Sequence, residues 1–439
     1  PGAYEIRRTI SLLEGSPSLK GFDLFPLFGD LPSERQDAAV RLGDRRKVVV
    51  ATNVAETSLT IDGIRVVIDS GLAKKARYDA CRGINCLLPE PISRASADQR
   101  AGRAGRIASG RCIRLWSEKE HERRPEKEVP EVLRMDLSEM VLTLHAADLN
   151  SRELSWFEAP EEESLARAEY LLTDLGALDK SGVLTQQGLS MAAFPMHPRQ
   201  ARAMLEARDR DSIHSVALAL ALAQGRSIIL PLRDKRLLAE RDRLLDVSSG
   251  ETESDFLCLL RAWDYAAERN FDPSYCRELG IHAGRCREAD RLARRLLSLA
   301  GAKHESGSTC DPVAFAKSIL SAFPEYVGKR RNRGTLVYAL ANGKNGELRR
   351  QSVARDADFI VAAELDEIQL RGQVGLVLGL ATEIQAEWLA EIFPNAIENQ
   401  VETIFDKESR TVVSRRSTKF RELLLSEELF GEPTLEEAA

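Results

Sequence analysis

The chain has 439 residues, too many for one hydrophobic core, and a prior of roughly 100–200 residues per domain predicts about three or four domains. The formal net charge is −6 and the pI about 5.8, which excludes a uniformly basic nucleic-acid binder. The 7 cysteines form no CxxC pair and no zinc-type spacing with histidines, so no metal site is predicted. Without a signal peptide or a run of about 18 apolar residues, we expect a cytoplasmic protein with reduced thiols and no membrane span.

The first predicted domain covers residues 1–129 and alternates short β-branched runs with helical periodicity, which is typical of an α/β fold. Residues 48–51 and 65–68 are continuous apolar runs, as expected of strands buried on both faces of a parallel sheet. Residues 72–92 form two extended segments around Cys81-Arg82-Gly83. This stretch therefore predicts a hairpin that protrudes from the sheet.

Three further domains are predicted downstream. Residues 130–200 combine helices, a turn and a short strand, which suits a winged helix. Residues 201–324 are helix after helix and predict a helical bundle. Residues 325–439 return to strands and predict a small OB-like β-barrel with a C-terminal segment, with turns at Asn342-Gly343 and Asn345-Gly346 between its first strands.

The strongest chemical signal is the string QRAGRAGR at residues 99–106. On the first turns of a helix, its spacing would place Gln99, Arg103 and Arg106 on one face, with small residues between them. Clustered guanidinium groups suit phosphate oxygens and the charge that spreads over a phosphoryl group during transfer. The alternative is an ordinary solvated basic helix face.

The second signal is the string TNVAETSLTIDG at residues 52–63, directly after an apolar strand. A polar loop at the carboxyl end of a parallel strand is where α/β sheets bind ligands. Thr57 and Ser58 offer hydroxyls and backbone donors that suit a sugar-phosphate chain, and Asp62 could accept from a ribose hydroxyl or pair with an arginine. The alternative is a capped turn, in which Thr and Asp are common.

In this order, the two strings resemble motifs V and VI of the DEAH-box helicases of superfamily 2. Residues 26–32 (PLFGDLP) resemble the segment just upstream in that family, and residues 1–6 (PGAYEI) resemble the end of its first strand and the start of its first helix. The barrel region, with AlaAsnGly at 341–343 and FIVAAEL at 359–365, is similar to the bacterial HrpB-type branch.

The resemblance implies a second RecA-like domain, a winged helix, a ratchet-like (HA2) bundle and an OB-like barrel. It implies an ATP-dependent RNA helicase that couples ATP hydrolysis to translocation on single-stranded RNA and to duplex unwinding or remodelling of RNA–protein particles. The sequence contains no GxxxxGK[ST] loop and no DEAH string. ATP and Mg²⁺ would therefore be held mainly by a first RecA-like domain in cis, before residue 1. We expect a fragment trimmed at both ends and inactive alone as an ATPase.

The resemblance also assigns roles to individual residues. Arg103 and Arg106 would be arginine fingers that reach the β- and γ-phosphates, and Gln99 would position the attacking water or the γ-phosphate. Residues implied to contact the nucleotide are Asp62, at the ribose, and Gly102 and Gly105. Residues implied to contact nucleic acid are Gly29 through its backbone amide, Asn53, Thr57 and Ser58. The hairpin at residues 72–92 would part or guide the strand.

Two alternatives remain open from the sequence. The chain could be a non-catalytic platform that binds nucleic acid or protein. A phosphate-binding loop encoded upstream in the parent gene would argue against this alternative. The parent could also act on DNA, because contacts to the backbone distinguish the two sugars only in part, and a preference for the 2′-hydroxyl would favour RNA. Near the adenine position of eukaryotic relatives, Val40 replaces an aromatic residue, so weak base selectivity is expected.

Overall fold

The computed structural model describes residues 2–29, 31–57, 60–79, 84–106, 108–224, 227–245, 252–302, 311–370, 373–406 and 411–430. The chain divides into two compact units. Unit 1 comprises Pro1–Asp136 and Ser155–Glu161, and unit 2 comprises Leu137–Leu154 and Glu162–Ala439. Among the described residues, no helix is long and apolar enough to cross a membrane. The limits of the four predicted domains stay predictions.

Unit 1 is an α/β unit, as predicted. Its helices are α1 (Ala3–Glu14), α2 (Ser33–Val40), α3 (Val54–Thr57), α4 (Arg94–Gly102) and α5 (Glu118–Arg123). Its strands are β1 (Asp23–Leu27), β2 (Lys47–Ala51), β3 (Val66–Asp69), β4 (Leu72–Asp79), β5 (Ile84–Pro91) and β6 (Arg111–Arg114). Strands β1 and β2 pair in parallel, as do β3 and β6, so the parallel arrangement of the RecA-like unit is confirmed.

The predicted burial of the two apolar runs on both faces is wrong. Every residue of β2 is only half-buried, and Val66 and Ile68 in β3 are 54% and 66% exposed. Helix α4 packs against β3. Because side chains alternate along a strand, Val66 and Ile68 share one face, and that face is left exposed in this chain.

The predicted hairpin is confirmed. Strands β4 and β5 pair antiparallel from Leu72–Pro91 at the base to Asp79–Ile84 at the far end. The turn at Cys81-Arg82-Gly83, around which the hairpin was predicted, lies outside the described residues.

Unit 2 begins with helices. These are α6 (Ser138–Ala146), α7 (Glu162–Asp174), α8 (Gln186–Ala192), α9 (Pro198–Asp209), α10 (Ile213–Gln224), α11 (Lys235–Leu245), α12 (Asp255–Glu268), α13 (Pro273–Glu278), α14 (Ala283–Leu299) and α15 (Pro312–Leu320). Between α7 and α8, Leu178 and Leu184 form an antiparallel bridge, which is the short strand of the predicted winged helix. Helix α10 is Ala- and Leu-rich, and nearly all its residues are buried, as expected of a central helix.

The strands of unit 2 follow. They are β7 (Val327–Arg330), β8 (Val337–Leu340), β9 (Asn345–Leu348), β10 (Phe359–Leu370) and β11 (Gln373–Glu383), then helix α16 (Ala386–Ile392), then β12 (Ile397–Asp406), β13 (Thr411–Phe420) and β14 (Leu423–Phe430). Strands β7 to β11 close into a barrel in the order β10-β11-β9-β8-β7, so the OB-like barrel is confirmed. Strands β12, β13 and β14 form a separate antiparallel sheet.

The turn predicted at Asn345-Gly346 is wrong, whereas Asn342-Gly343 does form a turn, with Gly343 at φ 78°. Asn345 and Gly346 are the first two residues of β9, and Gly346 pairs with Tyr338 on one side and Leu376 on the other. A Cβ atom at Gly346 would lie 2.6 Å from Cδ2 of Leu378. Glycine is therefore needed here for close packing across the barrel and not for a turn.

A buried charged cluster joins four parts of unit 2. Nη1 of Arg199, in α9, donates to a carboxylate oxygen of Glu325 at 2.9 Å and to the Ala322 carbonyl at 3.0 Å. Arg421, between β13 and β14, donates to Asp174 at the end of α7. Burial raises the pKa of Glu325, but the charge and hydrogen bonds of Arg199 outweigh it, so this pKa lies below its ordinary value. Burial keeps the pKa of Asp174 above its ordinary value despite Arg421.

Glu325→Gln should destabilise unit 2 by about 3 kcal/mol, because it leaves the Arg199 charge buried without a counterion. Asp174→Asn should cost less, because burial already disfavours the charged form of Asp174. Calorimetric unfolding at pH 7 would measure both. The loss in free energy of unfolding caused by Glu325→Gln should become smaller in acid. The ionised Glu325 carboxylate stabilises the fold above its unfolded pKa, and this stabilisation is lost as the pH falls through its lowered folded pKa. Equal penalties, or a Glu325→Gln penalty that ignores pH, would contradict this account.

Candidate functional site

The carboxyl ends of β1 and β2 form one edge of unit 1. The strands end side by side at Leu27 and Ala51, which are paired in the parallel register. Two polar loops begin at this edge, and the Thr52 amide donates to the Leu27 carbonyl at 3.1 Å. Ligand sites of α/β sheets occur at such edges. The structure thus places both predicted loops where a ligand site is expected.

A cleft of about 510 Å³ opens at this edge. Its lining comprises Gly2, Ala3, Phe28, Gly29, Thr52, Asn53, Glu56, Ala73, Lys74, Lys75, Ile92, Ser96, Glu128, Glu131 and Arg134. Two residues predicted to contact nucleic acid, Gly29 and Asn53, therefore share one cleft. A Cβ atom at Gly29 would meet nothing within 4 Å, so a ligand can approach this backbone closely.

The cleft carries charges of both signs. The Lys75 ammonium lies 2.5 Å from a Glu128 carboxylate oxygen, and the Arg134 guanidinium lies 3.3 Å from a Glu131 carboxylate oxygen. Each of these two cations is therefore paired with a carboxylate that also lines the cleft. Lys74 is half-buried at the cleft and helps to lower the pKa of Glu5, which is set mainly by a backbone hydrogen bond. These lysines were not predicted from the sequence, in which they form an adjacent pair within β4.

The QRAGRAGR string closes a helix and does not open one, which corrects the prediction. Helix α4 begins after Ser93, whose hydroxyl accepts from the Ser96 amide at 3.1 Å as an N-cap. Helix α4 ends at Gly102, and residues Arg103–Gly105 form a 3₁₀ turn. Gln99 is exposed in the last turns of α4, Arg103 is half-buried, and Arg106 is exposed.

Both predicted finger arginines contact the segment that follows β2. Nη2 of Arg103 donates to the backbone carbonyl of Glu56, and Nη1 of Arg106 donates to the hydroxyl of Thr60. Burial and the neighbouring Arg106 charge lower the pKa of Arg103, while Glu56 opposes them. The two guanidinium groups are close enough for their charges to interact, and Arg106 is exposed. That arrangement suits an anion with several oxygens.

Open space lies above the two glycines of the string. A Cβ atom at Gly102 or Gly105 would meet nothing within 4 Å, and both residues are exposed. The residues present therefore fit a phosphate group that approaches the turn between the two arginines.

Asp62 is exposed, and its electrostatic partner among the groups described is a lysine. Burial lowers the pKa of Lys47, and the Asp62 charge partly offsets this. The Lys47 ammonium donates to the carbonyls of Ala39, Val40 and Arg41 at 3.0, 3.1 and 2.7 Å. Lys47 thus caps the end of α2, where a cation is favourable.

The structure reveals a buried group that sequence analysis missed. Arg100 is 13% exposed, and it donates from Nε to Glu56 at 2.9 Å and from Nη1 to Asp69 at 2.8 Å. The other Glu56 oxygen accepts from the Ser96 hydroxyl at 2.5 Å. One available signal was Asp69 itself, because a carboxylate at the end of an apolar strand needs a cation.

Two predicted residues give no side-chain geometry. Thr57 is the last residue of α3, and its side chain is not described. Ser58 lies outside the described residues. Of the remaining predicted residues, Gly29 and Asn53 line the cleft, whereas Gln99, Asp62, Gly102, Arg103, Gly105 and Arg106 do not. Glu56 connects the cleft with the arginine string, because it lines the cleft and its backbone carbonyl accepts from Arg103.

Two families match the chain. Residues 5–108 match the helicase conserved C-terminal domain, and residues 168–196 match the winged helix of the helicase-associated domain (HA2). The first match contains the carboxyl ends of β1 and β2 and the arginine string, and the second contains the last part of α7 and all of α8.

Similar proteins carry helicase names. The chain is 36% identical over 284 residues to the ATP-dependent RNA helicase HrpA homolog of Haemophilus influenzae, covering 62% of this chain and 21% of that protein. It is 34% identical over 309 residues to the probable ATP-dependent RNA helicase DHX35 of Pongo abelii, covering 68% and 42%. The crystal structure of the Escherichia coli DExH-box NTPase HrpB matches with TM-score 0.65 and 26% identity, covering 100% of this chain and 48% of that one.

The chain spans less than half the length of each of these proteins. The two family matches lie in different units and in the order predicted for a RecA-like domain followed by a winged helix. The matched structure covers the whole chain, including the closed barrel. Through these matches, the chain is similar to the C-terminal portion of DEAH/RHA helicases.

Proposed function

We propose that this chain supplies one wall of an ATP site and part of a single-stranded RNA channel in an ATP-dependent RNA helicase. The observation that carries the proposal is the segment from Asn53 to Thr60. It begins in the cleft at the carboxyl edge of β1 and β2, and both Arg103 and Arg106 donate to its later residues. A single short segment thus connects a cleft suited to a nucleic-acid backbone with two guanidinium groups suited to phosphates.

The nucleotide site needs residues that this sequence does not contain. No GxxxxGK[ST] loop and no DEAH string occurs in the 439 residues. We infer that a first RecA-like domain in the same protein holds ATP and Mg²⁺. Bound there, the nucleotide supplies the phosphoanhydride bond whose hydrolysis drives the motor. By itself, the chain is expected to be inactive as an ATPase.

Each predicted residue then has a task in the nucleotide site. Arg103 and Arg106 neutralise charge on the β- and γ-phosphates, and they leave their present acceptors at Glu56 and Thr60 to do so. Gln99 orients water or the γ-phosphate from the exposed face of α4. Asp62 is exposed and available to accept from a ribose hydroxyl.

The cleft would hold the RNA backbone. The exposed Gly29 backbone and the Asn53 amide donate to phosphate or sugar oxygens, and Thr57 and Ser58 extend this contact along the loop. Lys74 adds a positive charge at the same cleft. Most of these contacts go to the backbone, so base sequence is read weakly.

Arg103→Ala or Arg106→Ala, made in the protein that also contains the first RecA-like domain, should reduce RNA-stimulated ATP hydrolysis by about 10³–10⁵, as for arginine fingers in GTPases. RNA affinity should stay unchanged, because neither residue lines the cleft. Arg123→Ala is the matched control, since Arg123 is exposed in α5, does not line the cleft, and its loss removes the same charge. Steady-state ATPase and RNA-binding assays measure both effects. Normal turnover in the two variants would remove the finger assignment.

Lys74→Gln should weaken binding of single-stranded RNA and reduce the slope of log K against log salt by about 0.7, the value for one phosphate contact on a single strand. Fluorescence anisotropy over a salt series would measure the slope, and Lys119→Gln, in the exposed helix α5, is the control. An unchanged slope in Lys74→Gln would place the RNA backbone elsewhere. A DNA oligonucleotide of the same sequence tests whether the 2′-hydroxyl contributes.

A further inference from the structure

The β4–β5 hairpin lacks support from neighbouring strands. Within the described part of the chain it forms a two-stranded sheet, with no third strand paired to either edge. Isolated two-stranded hairpins are at best marginally stable in water. The contacts that orient this hairpin include a hydrogen bond from the Tyr78 amide to the Arg134 carbonyl at 2.6 Å and the contacts at its base, where Leu72 pairs with Pro91.

A small apolar cluster lies at the base of the hairpin. Ala73, Ile92 and Ala97 are 6%, 1% and 0% exposed, and Trp116 packs against them. The Ile92 amide donates to the Gly71 carbonyl at 3.0 Å, which closes the base. Three side chains of this size bury little area, so the cluster alone gives weak anchoring.

One arginine ties both strands of the base together. Arg124 follows α5, and its Nη1 donates to the carbonyls of Gly71 and Ile92, each at 2.9 Å. Gly71 precedes β4 and Ile92 follows β5, so a single guanidinium spans the point where the chain enters and leaves the hairpin. The same guanidinium lies 4.3 Å from the ring centroid of Trp116, within cation–π range.

The backbone at Gly71 is shaped to this contact. Gly71 has φ +71°, which disfavours other residues. A Cβ atom there would lie 2.5 Å from Nη2 of Arg124 and 2.7 Å from the Trp116 ring. Both the conformation and the space at this position therefore require glycine while Arg124 is in place.

A second tie connects the same segment to helix α4. Glu128 lies 2.5 Å from the Lys75 ammonium in β4, and its other oxygen accepts from the Ser93 amide at 2.7 Å. Ser93 is the N-cap of α4. Lys75 also donates to the Pro91 carbonyl at 2.7 Å. Residues 124–128 thus link the hairpin base to α4, the helix that carries Arg100 and precedes the turn at Arg103.

We propose that Arg124 is a positioning residue for strand separation, which locks the β4–β5 hairpin to the body of unit 1. The proposal rests on the proposed helicase function. A hairpin that separates the strands of a duplex must move together with its domain. If its base were not fixed, the hairpin would change orientation when it contacts the duplex, and the strands would not separate. Arg124 does not line the cleft and does not contact the arginine string, so its loss should spare ATP hydrolysis.

The anchor itself can be tested on this 439-residue chain by hydrogen–deuterium exchange. In Arg124→Gln, the backbone amides of residues 72–79 and 84–90, apart from Pro89, should exchange at least about tenfold faster, because charged hydrogen bonds to the hairpin base are lost. Amides of β10 and β11 in unit 2 serve as the internal reference. Arg123→Gln is the matched control, because Arg123 is exposed and loses the same charge. Unchanged exchange in the hairpin would overturn the anchor, and faster exchange throughout unit 1 would reduce it to a general fold contact.

The functional consequence is tested in the protein that includes the first RecA-like domain. Arg124→Gln should unwind an RNA duplex with a single-stranded overhang at least about tenfold more slowly, as small misplacements can cause. RNA-stimulated ATP hydrolysis should stay near the unmodified level. If unwinding is normal, or if hydrolysis falls in proportion, the positioning role is wrong.

Two further controls keep the outcomes separate. If Arg124→Gln does not fold, Arg124→Lys keeps the charge but not the planar contact with Trp116, and should give an intermediate unwinding defect. If the unmodified protein shows no RNA-stimulated ATP hydrolysis, the proposed helicase function is wrong, and so is the role of Arg124 in strand separation. The exchange experiment still decides the anchor in that case, because it needs no activity.

Discussion

The carboxyl edge of unit 1 depends on one buried guanidinium. Arg100, in α4, donates to Glu56 in α3 and to Asp69 at the end of β3, whose side chain is 2% exposed. Asp69 also accepts from the Gly71 amide at 2.9 Å, where the hairpin begins. Without Arg100, two carboxylates would lose their counterion, a change that costs about 3–5 kcal/mol for a buried pair. The positions of the cleft, the hairpin and the arginine string all follow from this contact.

The three arginines of the string have different surroundings, and this explains their different tasks. The charge of Arg100 is neutralised by two carboxylates, so Arg100 stabilises the fold and adds little to the electrostatic potential at the surface. Arg103 donates to a backbone carbonyl and Arg106 to a hydroxyl, and Arg106 is exposed. Open space lies above Gly102 and Gly105, so the positive charge of this pair of arginines attracts anions there. The segment that holds this pair of arginines also forms part of the cleft.

Much of the fold follows from local patterns in the sequence. The hairpin and the barrel were predicted because runs of apolar residues and turn residues are local features of the sequence. Gly346 was misread as a turn because its role is packing against Leu378, more than thirty residues away. The exposure of Val66 and Ile68 depends on which elements cover β3, which no pattern within the strand contains. In the site, the string itself was recognised, but the Arg100–Asp69 contact, the lysines of the cleft and the Arg124 anchor depend on residues distant in sequence.

In the proposed function, the nucleotide site and the RNA cleft act together only when this chain is joined to a first RecA-like domain. The direct test is ATP hydrolysis by the protein that includes that domain, measured with and without single-stranded RNA beside the 439-residue chain. RNA should stimulate hydrolysis in the longer protein, and the 439-residue chain alone should hydrolyse no ATP. If the longer protein is silent with both RNA and DNA, the motor assignment is contradicted, and the chain is better described as a non-catalytic platform for nucleic acid or protein.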